Sequence, residues 1–215
     1  MLDRGETYRE FVNVGAQMAN SDGVIVNSFE GFEPRAAIIL AEGVCVPKGF
    51  RTPPVYCVGP LISAADSGGG GLAGWVLGPR TKGRGFVVKS WVPQTAILAH
   101  EAIGAFMTHC GWNSTSQAVC AGVPLIAWPL FAEQRFNRVV LVEEARVALP
   151  MDEEEGTRLI SSDEIERRVR EITGSEEGVD VRQRMLDMRN KAKLAIGEDG
   201  SSTLALTKLI ESWRR

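Results

Sequence analysis

Short apolar runs alternate with segments of helical spacing along the second half of the chain. The apolar runs predict strands at residues 85–89, 105–108, 125–128 and 147–149. Between these runs apolar residues recur with the helical period, at residues 94–100, 114–121 and 131–144. Strands that are separated by short helices pair in parallel through right-handed crossovers. The pattern therefore predicts an α/β fold with a parallel sheet and flanking helices.

The first 62 residues show a similar alternation, and a glycine-rich stretch follows them. Helices are predicted at residues 8–18 and 32–41, and strands at residues 23–27 and 55–58. Residues 63–79 contain four consecutive glycines, which form regular structure only at an entropic cost, so we predict a linker there. A phosphate-binding loop is the alternative, but no Lys-Ser or Lys-Thr pair follows the glycines.

The C-terminal part of the chain is charged and has the spacing of helices. Ser161 and Glu164 stand three positions apart at the start of such a segment, which is the pattern of a capping box. A last helix is predicted over residues 202–214.

The composition argues against nucleic acid and membranes as partners. The 215 residues are 44% hydrophobic and carry a net charge of −3, so bulk charge attracts neither nucleic acid nor an anionic membrane. The N-terminal residues lack the basic start and apolar core of a signal peptide, and no apolar run is long enough to cross a bilayer. We expect a soluble cytoplasmic protein without membrane insertion.

The four cysteines do not form a pattern that binds metal. No two of them have CxxC spacing, and no histidine set with metal-ligand spacing accompanies them. We expect each to be a small buried apolar residue in a reducing compartment: Cys45, Cys57, Cys110 and Cys120.

Most side chains that could bind a ligand or take part in chemistry lie in one block, residues 91–134. Trp91 and His109 follow predicted strands directly, and ligands of parallel sheets bind outside the carboxyl ends of strands. An indole can stack on a base, and a histidine beside a helix N-terminus can hold a diphosphate. The block thus has the groups that a nucleotide-sugar site needs. The alternatives are a half-buried surface aromatic for Trp91 and, for Glu133, a solvated acid that the helix dipole stabilises.

Specific motifs within this block carry a family resemblance. WVPQ, HCGWNS, AGVP, WP and EQ occur in order and at the spacing of the 44-residue signature of plant secondary-product UDP-glycosyltransferases. The flanking sequences ANSDGVIVNSFEGFEPRA and PPVYCVGPL resemble the same family, most closely its members that glucosylate flavonoids and other phenolics. The resemblance implies a GT-B fold of two facing Rossmann-like domains, UDP-glucose as donor, a phenolic acceptor and no metal.

The resemblance also implies roles for individual residues. Trp112, Glu133 and Gln134 match positions that face the transferred sugar, and a glutamine at the last of these favours UDP-glucose. Gln117 stands where the family usually has a glutamate that holds both ribose hydroxyls. Gln117 also has a structural alternative, as the last residue of a capping box that starts at Ser114. The expected donor-binding residues are Trp91, Gln94, His109, Trp112, Asn113, Ser114, Gln117, Glu133 and Gln134.

Other parts of the family pattern have no match in this chain. The family uses a histidine near its N-terminus as the base, whereas His100 and His109 both lie inside the donor block, so no catalytic residue is assigned. His100 could act as a base or cap the C-terminus of a helix, and the capping role is favoured.

The resemblance predicts three parts in the chain. Residues 1–62 correspond to the end of the acceptor domain, and residues 63–79 form a linker at an internal deletion. Residues 80–215 correspond to a UDP-sugar-binding domain that lacks its first β-α-β unit, so the expected fold is an incomplete C-terminal half of GT-B. We expect a donor-binding fragment without transferase activity. The alternatives are a regulatory module that pairs with a full-length relative through a sheet edge, and a pseudogene product.

Overall fold

A computed structural model describes residues 4–46, 49–62, 75–76, 85–88, 91–153 and 159–214. The helices are α1 (Arg4–Ala19), α2 (Pro34–Ala41), α3 (Gln94–Leu98), α4 (Trp112–Ala121), α5 (Gln134–Val139), α6 (Ser162–Gly174), α7 (Glu176–Ala195) and α8 (Ser201–Trp213). The strands are β1 (Val24–Val26), β2 (Val55–Cys57), β3 (Trp75–Val76), β4 (Phe86–Val87), β5 (Phe106–Thr108), β6 (Leu125–Ala127) and β7 (Ala148–Pro150). A π-helical segment, Val140–Glu144, continues α5.

A three-stranded parallel sheet forms the centre of the second half. Its strand order is β5-β6-β7, and Ala127 pairs with Thr108 on one side and with Pro150 on the other. All three residues of the middle strand β6 are buried, as its continuous apolar sequence predicts. The sheet aligns the ends of β5 and β6, from which the candidate site extends.

A hairpin replaces one of the predicted parallel pairings. Strand β4, which was predicted to join a parallel sheet, pairs antiparallel with β3 instead. Only nine residues separate Val76 from Phe86, fewer than the dozen or more that a parallel crossover needs. Part of the predicted linker is therefore a strand, and its glycine run lies outside the described residues.

The two halves of the chain share one apolar core. Phe29 and Phe32, from the segment between β1 and α2, lie in the same buried cluster as Leu98, Ala118 and Met185. The β1–β2 pair is parallel and contacts α8, which brings the C-terminus back to the first half. Residues that the sequence assigned to different domains thus pack together, and the division of the chain into domains stays a prediction.

Helix α6 is fixed at its start by side-chain hydrogen bonds. The Ser161 hydroxyl accepts from the backbone N–H of Glu164 at 3.2 Å, which is half of the predicted capping box. The Glu164 carboxylate does not complete the box. It accepts instead from the backbone N–H of Asp152 at 3.0 Å and from the Arg168 guanidinium at 2.8 Å. Helix α6 is thereby tied to the chain that leaves β7.

The cysteines differ from one another in burial. Only Cys110 is fully buried; Cys57 and Cys120 are half-buried and Cys45 is exposed, because it lies in the turn after α2. The prediction of four buried cysteines is therefore wrong for Cys45. Burial raises the pKa of Cys110 to about 11. Within the described ranges, no helix is long and apolar enough to span a bilayer.

Candidate functional site

A hydrogen-bonded cluster of polar side chains lies between α3 and α4. Gln94, the first residue of α3, donates from Nε2 to Oε1 of Gln117 at 2.7 Å and to Oγ of Ser114 at 3.2 Å. Both Nε2 protons of Gln94 are therefore used, and Oε1 is its free acceptor within the described residues. Gln117 is buried and belongs to this cluster. The alternative role of Gln117 in a capping box that starts at Ser114 is wrong, because Gly111 is the N-cap of α4 and Ser114 lies inside the helix.

The N-terminus of α4 leaves backbone donors free beside His109. The helix begins at Trp112, two residues before the predicted start, with Gly111 as its N-cap. Of the described side chains none caps this first turn, so the N–H groups of residues 112–114 stay available for an anion. A Cβ at Gly111 would collide with the His109 imidazole, so a larger residue there would require the imidazole to move.

The turn that carries His109 has an unusual backbone. Cys110 has φ of 67° although it is not glycine, and it is completely buried. Its N–H donates to the Thr108 hydroxyl at 3.3 Å, and its carbonyl accepts from Nδ2 of Asn137 at 2.9 Å. These side chains bond the peptide groups on either side of the Cys110 Cα.

The Trp112 side chain is engaged within the protein. Its indole Nε1 donates to the backbone carbonyl of Asn27 at 2.5 Å, and its ring stacks on Phe32 at a centroid distance of 5.3 Å. The side chain is used to join the two halves of the protein because an indole can bury its ring and still bond its N–H. Of the two N–H groups of Trp112, the indole N–H is used in this way, and the backbone N–H is one of the free donors at the helix start.

Gln134 is also engaged within the protein. Its Oε1 accepts from the backbone N–H groups of Leu130 and Phe131, at 2.9 and 3.0 Å, and the residue is only 3% exposed. Oε1 of Gln134 is therefore occupied within the protein, whereas the resemblance implied that this side chain faces the sugar. Nε2 is its remaining donor. Glu133, by contrast, is exposed.

The predicted residues divide into two groups in the structure. Gln94, Ser114 and Gln117 are joined by direct hydrogen bonds, and His109 lies against the glycine that starts the same helix. The indole of Trp91 is 65% exposed, and Asn113 is exposed in the first turn of α4. In the described part of the chain, no three His, Cys, Asp or Glu residues are arranged to hold a metal ion.

Known proteins resemble this chain in sequence and in fold. Residues 73–173 match the profile of the family described as UDP-glucoronosyl and UDP-glucosyl transferase. UDP-glycosyltransferase 13 from Pueraria montana var. lobata is 36% identical over 288 aligned positions, which cover 99% of this chain and 64% of that protein. Anthocyanidin 5,3-O-glucosyltransferase from a Rosa hybrid cultivar is 35% identical, with 100% and 59% covered. The chain belongs to the UDP-glycosyltransferase family.

Solved structures of UDP-glycosyltransferases have the same fold. UGT2 from Phytolacca americana, complexed with UDP-2fluoro-glucose and pterostilbene, matches with a TM-score of 0.78 and 32% identity, covering 92% of this chain and 56% of that one. The predicted fold class, an incomplete GT-B half with a Rossmann-like parallel sheet, is confirmed. The chain spans about 60% of the length of the curated UDP-glycosyltransferases it matches.

Sequence reasoning missed two residues that shape this candidate site. Asn137 lies outside the signature block and acts on Cys110 from 27 positions away. Asn27 lies 85 positions from Trp112 and acts through its backbone carbonyl, so its side-chain type carries no signal of this contact. The positive φ of Cys110 would have suggested that a polar side chain bonds this turn, but a backbone angle is not visible in the sequence.

Proposed function

We propose that residues 91–134 bind a UDP-sugar, with UDP-glucose favoured, as the donor half of a glycosyltransferase. One observation carries this proposal: the Gln94–Ser114–Gln117 cluster adjoins the uncapped N-terminus of α4, where His109 also lies. A base-reading amide and an anion-binding helix start are thus combined at the carboxyl edge of a parallel sheet.

The uridine end is assigned to the exposed indole and the amide cluster. The Trp91 ring is open to solvent and offers a face on which uracil can stack. Oε1 of Gln94 is an acceptor, which suits the N3–H donor of uracil. Gln117 offers its amide nitrogen to a ribose hydroxyl, because its Oε1 already accepts from Gln94.

The diphosphate end is assigned to His109 and the free N–H groups of α4. When the bond from the sugar to the β-phosphate breaks, its electron pair stays on the UDP oxygen and negative charge grows there. Donors that are already oriented towards this oxygen stabilise that charge without further rearrangement. The assignment supplies fixed donors for the phosphates, so UDP binding is expected to be the same with and without EDTA.

Glucose and a phenolic acceptor are favoured as substrates of the complete site. Glu133 and Nε2 of Gln134 can bond hexose hydroxyls. The matched Phytolacca americana enzyme is complexed with a UDP-glucose analogue, and the matched rose enzyme glucosylates anthocyanidins, which carry phenolic hydroxyls.

We also propose that the chain lacks an internal segment of the family fold. The match to the Pueraria enzyme runs over 288 positions, more than the 215 residues of this chain, so that enzyme has positions without counterpart here. This supports a deletion near residues 63–79, between a remnant of the acceptor domain and a donor domain without its first β-α-β unit.

Calorimetric titration of the purified chain with UDP tests the proposed function. We expect saturable one-to-one binding, competition by UDP-glucose and much weaker binding of ADP, because the amide cluster is assigned to uracil. The Trp91→Ala variant should bind UDP more weakly by about 1–3 kcal/mol, the usual contribution of a base stacked on an aromatic ring. Equal affinities for UDP and ADP would refute the assignment.

A non-catalytic partner of a full-length relative is the second candidate. It is favoured by Ile25 of β1, which is 53% exposed on a sheet of only two strands in the described residues. Co-purification of a tagged full-length relative with this chain, but not with its Ile25→Lys variant, is the result expected for that role.

A further inference from the structure

Helix α5 is bonded to both loops that carry the candidate site. Its first residue, Gln134, accepts from Leu130 and Phe131 in the loop after β6. One turn later, Asn137 donates to the Cys110 carbonyl in the loop after β5. Asn137 lies outside the signature block, and its bond to Cys110 has no role yet in the proposed function.

The Cys110 peptide determines where two groups of the site lie. Cys110 follows His109 and precedes Gly111, the N-cap of α4, so its backbone conformation orients both the imidazole and the helix start. That conformation is left-handed, which is unfavourable for a residue with a Cβ. The His109 imidazole lies so close to Gly111 that a Cβ at that position would collide with it.

Only two polar side chains of the described residues bond the backbone of Cys110. Thr108 accepts from its N–H through a long contact of 3.3 Å, whereas Asn137 donates to its carbonyl at 2.9 Å. The Asn137 bond is the shorter, and it comes from a separate element. The Asn137 bond is therefore the contact that fixes the position of the turn relative to α5.

We propose that Asn137 is a positioning residue for the diphosphate end of the donor, acting through the Cys110 carbonyl. The inference rests on the proposed function, since it assumes that His109 and the α4 N-terminus meet the phosphates. It predicts that Asn137 affects phosphate binding more than uridine binding, because Trp91 and Gln94, the residues assigned to uracil, lie outside this turn.

Asn137→Asp tests the proposal with a side chain of the same shape. The carboxylate cannot donate and would repel the Cys110 carbonyl. We expect UDP affinity to fall about tenfold, the effect of losing one hydrogen bond at a fixed site, while uridine affinity measured by NMR titration stays within about twofold. Asn20→Asp is the matched control, because Asn20 also donates from Nδ2 to a backbone carbonyl, that of Ala16, at an exposed position.

Alkylation of Cys110 gives a second readout that needs no ligand. The thiol is buried in the wild type, so its labelling by iodoacetamide, followed by mass spectrometry, should be slow; exposed Cys45 is the internal reference. If Asn137 holds the turn, both Asn137→Asp and Asn137→Ala should raise the Cys110 rate relative to Cys45. Asn137→Ala replaces the aspartate variant in the titrations if the latter does not fold.

The outcomes separate this inference from the proposed function. Loss of UDP affinity with unchanged uridine affinity and faster Cys110 labelling supports it. Unchanged UDP affinity, equal losses for UDP and uridine, or unchanged Cys110 labelling would overturn it. A wild-type chain that binds uridine and UDP equally, or neither, would instead refute the proposed function, and the labelling rates would still show whether Asn137 holds the turn.

Discussion

Gln117 shows how one residue can limit the site. Its Oε1 accepts from Gln94, and the side chain is buried, so it is well fixed. It nevertheless carries no charge, whereas the family usually has a carboxylate at this position to hold two ribose hydroxyls. Hydrogen bonds to an ionised acceptor are about twice as strong as neutral ones.

Gln117→Glu should strengthen UDP binding by about 1–3 kcal/mol. The carboxylate can keep the bond from Gln94 through one oxygen and accept from ribose hydroxyls through the other. Calorimetric titration with UDP measures the change. Gln17→Glu, which adds the same charge on the exposed side of α1, is the control and should leave the affinity unchanged. Equal affinities for wild type and Gln117→Glu would show that the ribose does not reach this position.

The residue types of the site could be predicted from the sequence, but the use of their atoms could not. Gln94, Ser114 and Gln117 were expected to share a site and do form one cluster. Trp112 and Gln134 were expected to face a sugar, yet their side chains bond Asn27, Leu130 and Phe131. Such assignments depend on distant packing and local loop shape, which a motif does not contain.

At the scale of elements, the start of α6 depends on a buried carboxylate. Burial opposes the charge of Glu164, but the Asp152 N–H and the Arg168 and Arg167 guanidinium groups outweigh burial and lower its pKa. Because the folded-state pKa is lower than the unfolded value, the ionised Glu164 stabilises the fold above about pH 4.5. That contribution is lost as the pH falls through the folded-state pKa.

Glu164→Gln should lower the free energy of unfolding at pH 7 by about 1–3 kcal/mol, because hydrogen bonds to charged groups are lost. Urea unfolding at pH 7 and at successively lower pH should show the gap between wild type and variant narrowing in acid. Glu166→Gln is the control: its ion pair with Arg170 is exposed, and an exposed pair contributes about 0–1 kcal/mol. A gap that does not change with pH would contradict the role of the Glu164 charge.

Periodicity predicted the existence of most elements better than their ends or partners. Strands β5, β6 and β7 were expected and pair in parallel, because continuous apolar runs between helices specify that arrangement. The β3–β4 hairpin was not expected, because two-residue strands show no period. The π-helical continuation of α5 was also not visible, because one extra residue per turn leaves the apolar pattern almost unchanged.

At the scale of the whole molecule, no histidine is assigned as the base that would serve an acceptor at the proposed donor site. The chain has two histidines, and both are in the donor block. Nδ1 of His100 accepts from the backbone N–H of Ala102 at 3.2 Å, which makes it part of a turn after α3. Neither histidine is therefore assigned to accept a proton from an acceptor hydroxyl.

The 215 residues alone should form no detectable glucoside from UDP-glucose and a flavonol. A missing general base by itself costs a factor of about 10²–10⁴ in rate, and the loss of acceptor orientation adds to this. Liquid chromatography with mass spectrometry after prolonged incubation measures the product, with a full-length relative as the positive control. Turnover above that of a protein-free mixture would contradict the prediction.

The bond between the Trp112 indole and the Asn27 carbonyl restricts how the protein can be shortened. A version that starts after residue 62, the predicted domain boundary, would remove Phe29 and Phe32 from the core and leave the indole N–H without its acceptor. Crystallisation or screening of a minimal donor-binding protein should therefore retain residues 24–32, even though they belong to the half that resembles an acceptor domain.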